Sequence, residues 1–276
     1  GTHSVDSTLQ FNFNKENHVY GLGEKSGLNV DKKGQRYVMW NYDHFGYAED
    51  GDPLYQSIPF VILANPPTLS DNTDQQQFHS VFIDNVGRQQ WDLTSDDKIS
   101  VECNADPCRF YVSLANDFAG LVSNYVLLTG KSPLPPLHAF GYQQCRWSYE
   151  NEQRVKQVTS TLREKDIPCD IIYLDIDYMD RFKCFTWSNS RFPDPQKLVE
   201  WLQERNYRTV VIIDPGIKIE SDYDVYESGV KGDYFVKRYE KDSLVNYVNK
   251  CWAEESYFPD FTVQKTRQWW GTHYKK

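Results

Sequence analysis

Three carboxylates crowd the stretch "IIYLDIDYMDRFKCFTW", residues 171–187, where Asp175, Asp177 and Asp180 follow directly on an apolar run. On an extended strand, positions i and i+2 face the same way, so Asp175 and Asp177 would share a face. Two like charges there cost electrostatic energy unless something positive or hydrogen-bonding sits between them. Three kinds of chemistry meet that condition. Acids at strand ends cap helices or pair with arginines, and Arg146 and Arg181 are the candidates. A D-x-D pair can hold a divalent cation through hard oxygen ligands, as in a metal-dependent glycosyltransferase. Carboxylates can also accept hydrogen bonds from vicinal sugar hydroxyls while aromatic rings cover the apolar ring faces. Tyr178, Phe182, Phe185, Trp187, Trp147 and Trp252 fall on or near the same loops. The sequence has no Gly-rich phosphate loop or basic cluster to hold a diphosphate, which weighs toward a neutral sugar.

The elements that must position these acids alternate between strand and helix. "AFGYQQC" is a short apolar run, "NEQRVKQVTSTLREKD" has Val155, Val158 and Leu162 on one helical stripe, and "CDIIYLDID" reads as a strand. "DPQKLVEWLQERN" is a helix with Asp194 near its N-cap and Pro195 in its first turn; "RTVVIIDPG" is a third strand, and "VQKTRQWWGTHYKK" a third helix. Such alternation predicts a parallel sheet covered by helices. Polar residues gather where the strands end: Gln144 and Arg146, then Asp175 and Asp177, then Asp214. Barrels and open α/β sheets both place their chemistry there. The connection from about 215 to 263 is long, reads as having little regular structure, and on that ground is expected to be functional.

The first half has a different pattern. "HVYGLGE", "RYVMW", "SIPFVILA", "HSVFIDN", "KISVEC" and "RFYVSLA" are short β-rich runs separated by turn residues, including "NPPTLSDNTD" and "NADP". An antiparallel sandwich is the expected fold. Pro133, Pro135 and Pro136 stiffen the junction, so domains are expected at 1–131 and 132–276.

The whole-chain numbers exclude several partners. A net charge of −9 argues against nucleic acid and anionic membranes, and no apolar run approaches the ~20 residues of a membrane-spanning helix. The start lacks an initiator Met and a signal-peptide pattern, so processing or trimming is expected, and the missing Asn-x-Ser/Thr sequon leans toward a cytoplasmic setting. The six cysteines fit no zinc spacing, and no cofactor is expected; Cys103 and Cys108 could pair across "NADP".

"PLPPLHAFGYQQCRWSY", "IPCDIIYLDIDYMDRFKCFTW", "RFPDPQKLVEWL" and "VVIIDPGIK", in this order, resemble glycoside hydrolase family 31, the α-glucosidases and α-xylosidases. "VYGLGEKSG", "RYVMWNYD", "DPLYQSIPF" and "YFPDFT" followed by "WW" resemble the same family. The resemblance implies a β-sandwich followed by the first three βα units of a TIM (β/α)8 barrel, in an exo-acting retaining α-glycosidase that needs no metal. It implies that Asp175 binds hydroxyls of the terminal sugar and Ile176 packs on that sugar. Trp252 would form a pocket wall, Asp43 would reach the site from a sandwich loop, and Ile213 and Asp214 would floor it. Asp177, Arg146, Trp147 and Trp187 are expected to support it. After Trp252 the family commonly has Pro-Gly, where this sequence has Ala253 and Glu254, so that loop is expected to differ.

The family's nucleophile motif, of W-x-D-M-N-E type, does not occur in the sequence. The resemblance therefore implies that the nucleophile and the acid/base, ~5–5.5 Å apart in a retaining enzyme, come from beyond Lys276. Three parallel strands also fall short of the about eight that close such a barrel. The expected partners are an oligosaccharide or α-glucoside and a second chain or further segment completing the barrel. The alternatives are an inactive carbohydrate-binding remnant and the D-x-D glycosyltransferase.

Overall fold

The computed structural model describes residues 7–27, 29–65, 78–104 and 108–275; most of the "NPPTLSDNTD" and "NADP" turns lies outside them. The chain divides into two compact units, 1–133 and 134–276.

The first unit contains β1 (Ser7–Asn12), β2 (His18–Gly23), β3 (Arg36–Met39), β4 (Ser57–Ala64), β5 (Phe78–Asp84), β6 (Gln89–Asp92), β7 (Lys98–Cys103) and β8 (Arg109–Ala115). They form two antiparallel four-stranded sheets, ordered β1-β7-β6-β3 and β2-β4-β5-β8. Alternate residues of both sheets meet in one core: Val19, Tyr37, Val61, Leu63, Val81, Ile83, Trp91, Ile99 and Val101. This is the expected sandwich, with β1 and β6 added. In β6 the period of two is present, but Gln89 occupies a core position and accepts a hydrogen bond from Trp91 Nε1 at 2.9 Å. The helix α1 (Phe118–Thr129) was not expected, because "FAGLVSNYVLLT" is apolar on nearly every side and has no helical stripe. Its start is fixed by Asp117, whose carboxylate accepts the Gly120 N–H at 2.6 Å. It lays Leu121 and Tyr125 on Phe60, Ile62 and Phe82, on the outer face of the second sheet.

In the second unit, β9 (Gln143–Gln144), α2 (Glu152–Glu164), β10 (Ile171–Leu174), α3 (Pro195–Gln203) and β11 (Arg208–Val211) give the expected alternation. The sheet is parallel, with β10 between β9 and β11, Ile171 opposite both Gln143 and Arg208. Asn151 and Asp194 cap α2 and α3 through their side chains. Val155, Leu198 and Leu202 of the helices pack with Ile172, Leu174 and Tyr207 in a second core. At the strands' entering ends, Arg163 from the last turn of α2 gathers the carbonyls of Cys169 (2.8 Å), Arg205 (3.1 Å) and Asn206 (3.3 Å). Its guanidinium lies 3.9 Å from the centroid of the Tyr207 ring.

The segment 215–263 is more ordered than the sequence suggests. It holds β12 (Ile217–Lys218), α4 (Asp224–Gly232), the hairpin β13 (Lys237–Glu240) and β14 (Ser243–Asn246), and the hairpin β15 (Val248–Cys251) and β16 (Glu254–Tyr257). These strands, "KRYE", "SLVN", "VNKC" and "EESY", are largely exposed, so no apolar alternation marks them. The final helix α5 (Gln264–His273) sets Trp269 against Tyr234 and Phe235.

Candidate active site

The strand bearing the carboxylates stops earlier than its sequence suggests. β10 ends at Leu174, and Asp175 caps a single 3-10 turn over Ile176–Tyr178, accepting the Ile176 N–H at 2.6 Å. The extended period of two therefore does not apply to Asp175 and Asp177, and the two acids have different partners. Asp177 accepts from Arg191 Nη1 at 2.9 Å, and Arg191 also donates to the Met179 carbonyl (3.2 Å) and to Ser188 Oγ (3.3 Å). Neither arginine singled out from the sequence serves this role. Arg181 pairs with Glu220 at 2.6 Å, and Arg146 is exposed beyond β9. Asp180 belongs to the same braced set: Lys183 Nζ lies 2.9 Å from it and 3.0 Å from Glu220. The Lys183 hydrogen bond holds the Asp180 carboxyl below the ordinary carboxylate range, and the same ammonium does so for Glu220.

Asp175 and Asp214 form the contrasting set. They follow neighbouring parallel strands, β10 and β11. Burial, then the charge of Asp175, raises the Asp214 carboxyl above its ordinary value. Burial and the same Asp175 charge also raise the Cys145 thiol, just beyond β9. The charge of Asp175 thus acts on groups at both neighbouring strand ends. Among the described residues no ion pair involves Asp175 or Asp214. The spacing is fixed from below: Tyr178, buried in the core, donates its hydroxyl to the Ile212 carbonyl at 2.8 Å. That bond ties the turn carrying Asp175 to the end of the strand carrying Asp214.

The remaining expected residues fall into core positions and exposed ones. Ile176 is 6% exposed and belongs to the core, and Ile213 packs against the same core. Tyr178, Phe182, Phe185 and Trp187 are also packing residues. Trp187 lies against Tyr178 with centroids 4.7 Å apart, and Phe185 packs on Trp270. Trp147 is 73% exposed beyond β9, and Trp252 is 67% exposed in the turn between β15 and β16. Trp252 lines a cleft of about 460 Å³ with Asp180, Arg181, Arg191, Lys218 and Glu254, a set that does not include Asp175 or Asp214. In the first unit Asp43 is exposed and accepts from the Tyr55 hydroxyl at 3.0 Å. Nearby, buried Lys25 bonds Asp52 at 2.6 Å and the Val38 carbonyl at 2.8 Å, which fixes the strand leading to that loop. Arg191, Cys145 and Tyr178 are the contributors that the sequence left without these roles. For Arg191 a signal existed: a cation in the loop that follows two unpaired acids.

Residues 132–276, more than half the chain, match the family model described as the glycosyl hydrolases family 31 TIM-barrel domain. The chain belongs to glycoside hydrolase family 31. Residues 1–92 match the N-terminal galactose mutarotase-like domain of glycosyl hydrolase 31. The fold is thus a family 31 sandwich followed by the start of the family's TIM barrel. Relatives include alpha-glucosidase 2 of Bacillus thermoamyloliquefaciens, 38% identical over 92% of this chain and 31% of its own. Another is neutral alpha-glucosidase AB of Homo sapiens, 31% identical over 95% of this chain and 29% of its own. Among solved structures, a family 31 dextranase of Flavobacterium johnsoniae complexed with glucose superposes with a TM-score of 0.85 at 29% identity, over 98% of this chain and 32% of its own. A family 31 alpha-glucosidase from Bacteroides thetaiotaomicron gives 0.84 at 31%, over 98% and 44%. The chain therefore spans about a third of the length of the curated relatives it matches.

Proposed function

We propose that this chain is the N-terminal part of a retaining exo-α-glycosidase acting on terminal α-linked glucosyl residues. The observation that carries the reading is the pair Asp175 and Asp214, which follow neighbouring parallel strands and take part in no ion pair among the described residues. A carboxylate in that setting is best satisfied by ligand hydroxyls, and each charge-assisted hydrogen bond is roughly twice as strong as a neutral one. Asp175 is assigned the hydroxyls of the terminal sugar, with Asp214 and Ile213 beneath it. Ile176 is assigned to hold the turn of Asp175 in the core, and Trp252 to a wall farther out. The bond chemistry falls to residues beyond Lys276, from a further segment or a second chain. It would be a double displacement in which a carboxylate forms a glycosyl-enzyme and a second carboxyl protonates the leaving oxygen.

The D-x-D glycosyltransferase reading is weakened by Arg191, because a guanidinium already neutralises one of the two carboxylates a cation would need. The test uses the whole protein. Release of p-nitrophenol from its α-glucoside is expected, equal with and without EDTA, and abolished by Asp175→Ala. Release that is lost with EDTA, or undiminished in Asp175→Ala, overturns the reading. Glucose binding without hydrolysis by the whole protein would instead favour a binding remnant.

A further inference from the structure

Cys103 and Cys108 belong to different sheets of the sandwich. Cys103 is the last residue of β7, paired there with Ser7 of β1 and Gln89 of β6. Cys108 immediately precedes β8, which pairs with β5 in the other sheet. Both side chains turn into the core between the sheets, Cys103 fully buried and Cys108 partly so. Their sulfur atoms are 3.0 Å apart as free thiols. Each backbone is anchored next to its thiol: the Asn104 N–H donates to the Arg88 carbonyl at 3.0 Å, and Arg109 pairs with Asp84 at 2.9 Å. Among the described residues no group of three metal-ligating side chains exists, so the pair is not part of a metal centre there.

We propose that Cys103 and Cys108 are a redox-active thiol pair, converted by a low-molecular-weight disulfide such as glutathione disulfide into a covalent clamp between the two sheets. A disulfide needs its sulfurs at ~2.05 Å, so closure asks for about 1 Å of movement from sulfurs already held face to face. The partly exposed Cys108 reacts first. Its thiolate attacks one sulfur of the oxidant, forming a protein–glutathione bond and releasing one glutathione thiolate. The Cys103 sulfur then attacks Cys108 and releases the second. Two protons leave the protein thiols and are taken by the two glutathione thiolates, so the protein loses two electrons and the oxidant is reduced. The order follows from burial. Desolvation and the hydrogen bond with Cys108 push the Cys103 thiol up to about 12, which leaves it a poor first nucleophile.

The test is peptide mapping of the whole protein after incubation with glutathione disulfide and alkylation with iodoacetamide. Trypsin, cutting after Lys98 and Arg109, releases both cysteines in one peptide, 99–109. That peptide is expected two hydrogens lighter and unalkylated, and doubly alkylated when dithiothreitol precedes the reagent. Cleavage before Asp106 by a second protease is expected to leave the two halves linked. Cys103→Ser is expected to trap glutathione on Cys108, whereas Cys108→Ser leaves Cys103 unmodified in the folded protein. Oxidation should raise the urea midpoint of the sandwich, and the double serine variant should show no oxidation-dependent shift. The mapping needs no variant. A peptide that stays doubly alkylated after oxidation, a glutathione adduct that persists on wild-type Cys108, linkage of either residue to another cysteine, or an unchanged urea midpoint overturns the proposal.

Discussion

Asp177, Asp180 and Glu220 lie a few residues from Asp175 and Asp214, yet the two sets are built on opposite electrostatic plans. In the first set every carboxylate is paired with a cation: Arg191 with Asp177, and Lys183, shared, with Asp180 and with Glu220, which Arg181 also meets. In the second, burial and like charge raise Asp214. The braced set holds loops in place, and the second set is the one to which the proposed function assigns the sugar. Carboxylates in one short motif can therefore differ in role because of what the fold brings beside them, not because of their spacing.

The comparison would break most sharply at Asp175. In the whole protein, Asp175→Asn is expected to lower kcat/KM on p-nitrophenyl α-glucoside by about a thousandfold, ~4 kcal/mol, with the urea midpoint unchanged. A braced residue should do the reverse. Lys183→Met leaves Asp180 and Glu220 short of a partner and is expected to cost about 2 kcal/mol of stability in urea unfolding, with kcat/KM little altered. If Lys183→Met abolished activity at wild-type stability, the division between the sets would fail. Trp252→Ala, outside both sets, is expected to raise KM about tenfold, ~1.4 kcal/mol, leaving kcat nearly unchanged.

The smallest effects are the most diagnostic, because they have opposite signs. The folded Asp214 carboxyl titrates above its unfolded value, so it favours the native state only at low pH and that advantage is lost as pH rises through the raised value. Asp214→Asn is therefore expected to raise stability at neutral pH and to leave it unchanged in acid. The folded Asp180 carboxyl titrates below its unfolded value, so its contribution is present at neutral pH and is lost as pH falls through the depressed value. Asp180→Asn is expected to lower stability at neutral pH and to match the wild type in acid. Urea midpoints of both variants across the acidic range check the two signs together.

The sequence revealed elements wherever packing and period agreed. "SIPFVILA" is a strand buried along most of its length, and the α2 stripe and the Asp194–Pro195 start of α3 are local signals that the tertiary structure leaves intact. It failed where a local rule was suspended. The apolar α1 has no polar face to give it a period, and the exposed strands after β12 have no apolar one. The D-x-D pattern misled for a related reason. Same-face geometry needs a strand that continues, and hydrogen bonding of Asp175 to the next backbone N–H ends it. Arg191 could not be assigned to Asp177 by spacing, since they lie 14 positions apart. That the charge of Asp175 acts on Asp214 follows from the topology, because adjacent parallel strands end side by side.

Arg163 closes the opposite end of the same sheet. One guanidinium there gathers three carbonyls from the segments that lead into β10 and β11. The consequence is an asymmetry in what the lineage can vary. Insertions or changes of length in the loops near Arg163 would pull a carbonyl away from a shared cation and be selected against. Loops leaving the other ends of the strands, including the long segment after β11, can be rebuilt without touching that anchor. A fold fastened in this way can change its preferred ligand by drift on one rim while the other rim keeps the scaffold heritable.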